Sequence, residues 1–182
     1  GTTVADYVNL KEPYPHDHCA ANAYDTYKLV DQYKSHIPEE FVREKPVLTL
    51  IAPDIIFPES LEDQIKKIKR PEDVKKIILN HYKNESLPEK FKLFENVEEL
   101  ELTQNGFTTI PEIVFTFTKL KKLNLRDNHI EFIGPEIKNL EKLESLSFLG
   151  NNLNRIDQNL CTNSQLKEHF IGHNTDLQAL PD

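Results

Sequence analysis

Leucine is concentrated in the second half of the chain, where 16 of 22 fall between Leu87 and Leu180, and the apolar positions recur with a fixed step. Val97, Leu120, Leu143 and Leu166 are each 23 residues apart, and the positions that follow them stay in phase. The first block runs Val97, Leu100, Leu102, Asn105; the second Leu120, Leu123, Leu125, Asn128; the third Leu143, Leu146, Phe148, Asn151. A fourth, Leu166, His169, Ile171, Asn174, holds the frame with one polar intruder. One step back lie Val74, Ile77, Leu79 and, where Asn is expected, Tyr82. Alternation within a block, as in Leu100-Glu101-Leu102, predicts a short strand with one buried face. One such strand can neither satisfy its backbone nor cover its apolar side, so successive units must stack with strands parallel and leucines merged into one core. Where the chain leaves the strand, backbone groups lose ladder partners inside the protein. A short amide both donates and accepts, which gives Asn105, Asn128, Asn151 and Asn174 a structural role as a ladder.

The second halves of the units repeat as well: Leu87-Pro88 with Phe91 and Phe94, Ile110-Pro111 with Val114 and Phe117, Ile137 with Leu140. Together the halves resemble the leucine-rich repeat family, whose unit reads L-x-x-L-x-L-x-x-N-x-L, over roughly residues 74–182. Gly134 separates Ile133 from Pro135, and Asp157 replaces the Pro after Ile156, so an irregular convex side is expected there. The resemblance implies an α/β fold: a leucine-rich repeat solenoid with a parallel β-sheet on its concave face and an N-terminal helical cap. Its five units would be residues 74–96, 97–119, 120–142, 143–165 and 166–182.

Upstream, residues 47–73 read as a degenerate capping repeat. Val47, Leu50 and Ala52 hold the strand spacing, and Ser60-Leu61-Glu62-Asp63 is a capping pattern ahead of Leu61, Ile65 and Ile68 on one helical face. Residues 1–46 read as an arm and a helix. Ala20, Ala23, Tyr24, Tyr27, Val30 and Tyr33 recur at helical spacing until Pro38, and residues 1–19 show no period.

Charge narrows the partners. With 22 Lys and Arg against 30 Asp and Glu, net −8, the chain lacks the excess of cations that binding to nucleic-acid phosphates requires. The five glycines are scattered, which excludes the Gly-rich phosphate cradles of dinucleotide folds and P-loops. Two cysteines allow at most one disulfide, Cys19 with Cys161, and no apolar run approaches membrane-spanning length. The absence of Met suggests a chain trimmed from a longer one. That, and the likeness to bacterial leucine-rich repeat proteins, inclines localisation toward the cell envelope or exterior.

Candidate chemistry is sparse. His16-Asp17-His18-Cys19 sets metal-ligand types in a row, as either a metal site or a polar helix start. His169 and His173 do not converge in the repeat frame, which favours an inward, hydrogen-bonded His169. Cys161 is expected to be buried on the convex half, and Glu98, Glu99 and Glu101 to form a solvated patch with no acid/base partner for catalysis. No catalytic residue, metal site or cofactor is assigned. The outward positions of the strands are the better clue: Lys76, Ile78 and Asn80; Glu99, Glu101 and Thr103; Lys122, Asn124 and Arg126; Ser145, Ser147 and Leu149; Glu168 and Phe170. By the resemblance, this concave surface binds a protein partner. Two other readings are a substrate-reading arm of a larger enzyme, such as an effector ligase, and a metal-dependent activity in residues 1–46. An open sheet edge at the C-terminal end would also let two copies pair as a homodimer.

Overall fold

A computed structural model describes residues 44–174. The helix expected over residues 20–33 and the His16–Cys19 cluster lie outside the described residues.

Six strands form one parallel sheet in the order β1 (Val47–Ile51), β2 (Lys76–Asn80), β3 (Glu99–Glu101), β4 (Lys122–Asn124), β6 (Ser145–Ser147) and β8 (Glu168–Phe170). From β2 onward the register advances by one repeat per strand, pairing Ile77 with Leu100, Leu100 with Leu123, Leu123 with Leu146 and Leu146 with His169. The inward rows feed one continuous core reaching from Leu50 to Leu160. From β2 onward each return path is a 3₁₀ turn rather than a helix: Glu89–Leu93, Glu112–Thr116, Pro135–Asn139 and Gln158–Leu160. Proline introduces three of them, at Pro88, Pro111 and Pro135. The Asp157 carboxylate introduces the last, accepting from Asn159 N at 2.8 Å. Around Gly134 the expected irregularity takes an ordered form. Here β5 (Phe132–Ile133) pairs in parallel with β7 (Arg155–Ile156), and the Arg155 guanidinium sits 5.3 Å from the Phe132 ring centroid.

The first strand departs from the expected frame. Leu48 and Leu50 pair with Ile77 and Leu79, a longer step than the repeat, so Val47 is turned outward and stays 46% exposed. Helix α1 (Leu61–Lys66) starts as the capping pattern predicts, with Ser60 Oγ accepting from Asp63 N at 3.2 Å and Leu61 and Ile65 buried. Its Gln64 side chain meets the backbone of Ile51, accepting from its N–H at 2.9 Å and donating to its carbonyl at 2.7 Å. An amide side chain thereby takes the place of a strand partner at the end of β1.

The four Asn of the ladder are the buried polar residues among those described. Asn128 Nδ2 donates to the carbonyls of Leu102 (2.8 Å) and Leu125 (2.9 Å), while its Oδ1 accepts from Asn105 N (3.0 Å) and Phe107 N (3.2 Å). Asn151 and Asn174 repeat the donor pattern one and two units on. The residue before each turn is left-handed: His81, Gln104, Asp127, Gly150 and His173 have φ between 55° and 69°. Gly150 has a second reason to be glycine, because a Cβ there would press on the Asp127 carboxylate. Gly150→Ala is therefore expected to lower stability by about 1–2 kcal/mol in thermal denaturation, by left-handed strain and displacement of Asp127. An unchanged melting temperature would show that Asp127 moves freely aside.

Candidate functional site

Because each unit contributes one strand in fixed register, the outward side chains fall into rows across the concave face. Lys76, Glu99, Lys122, Ser145 and Glu168 make the first, and Ile78, Glu101, Asn124, Ser147 and Phe170 the second. Asn80, Thr103, Arg126 and Leu149 follow one strand step further on. Every outward position expected from the repeat frame lies on this face, and β1 adds three that the frame missed: Val47, Thr49 and Ile51. Taking Leu48 and Leu50 as the inward pair of Val-Leu-Thr-Leu-Ile would have found them.

Charges on the face are compensated between units. Glu99 lies between Lys76 (3.5 Å) and Lys122 (3.6 Å), and Glu101 accepts from Asn80 Nδ2 at 3.3 Å. Glu98, just ahead of the strand, accepts from Lys121 Nζ at 3.1 Å, and that bond holds its carboxyl below the usual glutamate range. The partners of the three glutamates come from the neighbouring units. At roughly one-third to two-thirds exposure such pairs contribute about 0.2–1 kcal/mol each, so they orient side chains more than they stabilise the fold. Asn80 is also committed locally: its Oδ1 accepts from Thr103 N (3.1 Å) and Thr103 Oγ1 (2.7 Å). Arg126 Nε donates to Asp127 at 3.1 Å, with its side chain 59% exposed.

From β2 to β8 the face forms a hollow of about 380 Å³, its lining running from Lys76 through Glu99, Glu101, Lys122 and Arg126 to Ser145, Ser147, Leu149 and Phe170. Phe170 is 48% exposed. Two expectations fail nearby. His169 keeps its inward register but is exposed, and Cys161 is exposed rather than buried. Inward rows are buried by the unit stacked beyond them, and β8 is the last strand among the described residues. Also among these residues, no cluster of three His, Cys, Asp or Glu side chains could hold a metal ion, and no helix is long and apolar enough to cross a membrane.

The arrangement has relatives. The family model described as leucine rich repeat matches residues 95–153. Among solved structures, a leucine-rich repeat protein of Leptospira interrogans is 26% identical with a TM-score of 0.60, over 75% of this chain and 34% of that one. The ectodomain of the receptor kinase SOBIR1 from Arabidopsis thaliana is 24% identical (TM-score 0.47, 58% of this chain, 59% of that one). An internalin from Listeria monocytogenes is 22% identical (TM-score 0.40, 53% and 34%). The chain thus spans about a third of the Leptospira protein's length. No curated protein matches it. Stacked 23-residue units, the buried Asn ladder and the family match over residues 95–153 agree, and the described residues carry the leucine-rich repeat solenoid fold.

Proposed function

We propose that the protein is a recognition module that binds a protein partner through the concave face of its sheet. The observation carrying this reading is the face itself. Side chains of five successive units stand in register on a parallel sheet, and they mix carboxylates, cations, amides and partly exposed apolar groups. Such a mixture on a preorganised surface suits specific protein contact, because ordering costs are small and charge pattern selects the partner. Glu99, Glu101, Lys122, Asn124 and Arg126 form the centre of the footprint. None of these residues is part of the buried core, so changing them tests binding without removing core packing. The test is capture from the native source with wild-type bait, followed by quantitative binding with Glu101→Arg and Arg126→Glu. Each reversal is expected to weaken the complex about tenfold or more. Unchanged affinity in both variants would remove the concave face from the interaction.

A further inference from the structure

The geometry points to the type of ligand segment that the groove takes: an extended stretch of the partner in which acidic and apolar side chains alternate. This rests on the concave face being the binding surface. The strand β6 offers only Ser145 and Ser147 to that face, so it forms a low floor between two taller neighbours. On the β4 side stand Lys122 and Arg126, whose side chains are 60% and 59% exposed. On the β8 side stand Glu168 and Phe170, and Leu149 closes the end of the floor. Leu149 leans toward Gly172, where an added Cβ would lie 3.3 Å from its Cδ2, so the glycine gives the leucine room to tilt.

Width and charge select the occupant. Two strand spacings separate β4 from β8, roughly 10 Å between backbones, which side chains narrow further. An α-helix, about 10–12 Å across, is too wide to reach the serines, whereas a single extended chain fits. Successive side chains of an extended chain point in opposite directions, so one set faces the cations and the other faces Phe170 and Leu149. The cation wall, Lys122 and Arg126, belongs to a wider hollow that reaches β2 and holds three cations, Lys76, Lys122 and Arg126, against two carboxylates, Glu99 and Glu101. In a chain of net charge −8 that local excess favours carboxylates as the first set. The second set gains by covering an exposed phenylalanine.

The probe is a fluorescent dodecapeptide alternating Glu with Leu around one central Phe, titrated with the full 182-residue chain at low salt. Two control peptides replace every Glu by Lys, or every Leu and Phe by Ser. The alternating acidic peptide is expected to bind at least about tenfold tighter than either control. Phe170→Ser and Ser147→Arg should each abolish that advantage, and Arg126→Glu should shift preference toward the Lys peptide. Circular dichroism on each variant checks that these surface changes leave the fold intact. Equal binding of the three peptides, no saturable binding, or indifference to Ser147→Arg overturns the proposal. The same Ser147→Arg variant, tested against the captured natural partner, separates the two readings. If it destroys that complex while the peptides fail to discriminate, the concave face stands and the alternating chemistry falls. If the natural complex survives it, the concave face falls as well.

Discussion

Replacing Asn128 by Ala is expected to destabilise the protein by about 3–6 kcal/mol, because a buried donor or acceptor that loses its partner costs about 1–3 kcal/mol. Removing the amide leaves the Leu125 carbonyl with its bond from Asn151, but it takes from the Leu102 carbonyl and from the N–H groups of Asn105 and Phe107 the partner each has in Asn128. Asn128 is 2% exposed, so water cannot readily replace the side chain. The loss would be a large part of the roughly 5–15 kcal/mol that holds a typical domain together. In urea it would appear as a fall in midpoint of roughly 2 M, taking a slope of about 2 kcal/mol per molar. Asn128→Asp sharpens the test. A carboxylate accepts from the two N–H groups but cannot donate to Leu102, and it faces carbonyls at the donor position. Burial beside those carbonyls would raise its folded pKa above the unfolded value. The protonated form is then favoured by folding, so the deficit should be greatest at neutral pH and shrink as pH falls through the folded pKa. A midpoint within about 0.5 M of wild type for Asn128→Ala, by this same conversion, would mean that the turn reorganises to pair its own backbone.

The same ladder shows how much of the architecture was legible in the sequence. A constant repeat step fixes which residue lies beside which, so the pairing of Leu100 with Leu123 and of Leu123 with Leu146 follows from counting. The Asn positions follow from the need to satisfy backbone at each turn, and the alternation around each leucine gives the outward rows. Illegible were the features that depend on an end of the stack or on an altered unit. At β1 the step to the next strand is longer than the repeat, so extending the regular spacing picked Val47, Leu50 and Ala52, where the inward pair is Leu48 and Leu50. At β8 the periodic frame correctly placed His169 in the inward row, yet burial also requires a neighbour beyond it, and periodicity carries no information on that. The partners of Glu98 and Glu99 were legible in principle: Lys121 and Lys122 stand one repeat later, and Lys76 stands one repeat before Glu99. Reading across the units reveals this alternation, with Glu in one strand and Lys or Arg in the next. For the candidate site, sequence located the outward positions but not the hollow, which arises because two serines sit between longer side chains on adjacent strands.

Truncating Phe117 to Ala is expected to cost about 3–5 kcal/mol, the range for removing a fully buried aromatic ring. Phe94, Phe117 and Leu140 occupy one repeat position in three successive units and are 0%, 1% and 0% exposed. Each belongs to the single core cluster, and the successive 3₁₀ turns that precede them are stacked neighbours. The phenylalanine in the middle therefore supports units on both sides, and its cavity is bounded by residues that the flanking turns hold in place. Stability in a stacked-unit protein is a sum of unit terms and nearest-neighbour interfaces, so the effect of Phe117 should depend on Phe94 but not on distant sites. Combining Phe94→Ala with Phe117→Ala is expected to depart from additivity by more than about 0.5 kcal/mol, while Ile65→Ala in α1, in a unit not adjacent to that of Phe117, should add to Phe117→Ala within about that margin. Urea unfolding of the three single and two double variants measures both terms. Additivity in both pairs, or coupling of Phe117 to Ile65 as strong as to Phe94, would contradict a core whose cohesion passes only from each unit to the next.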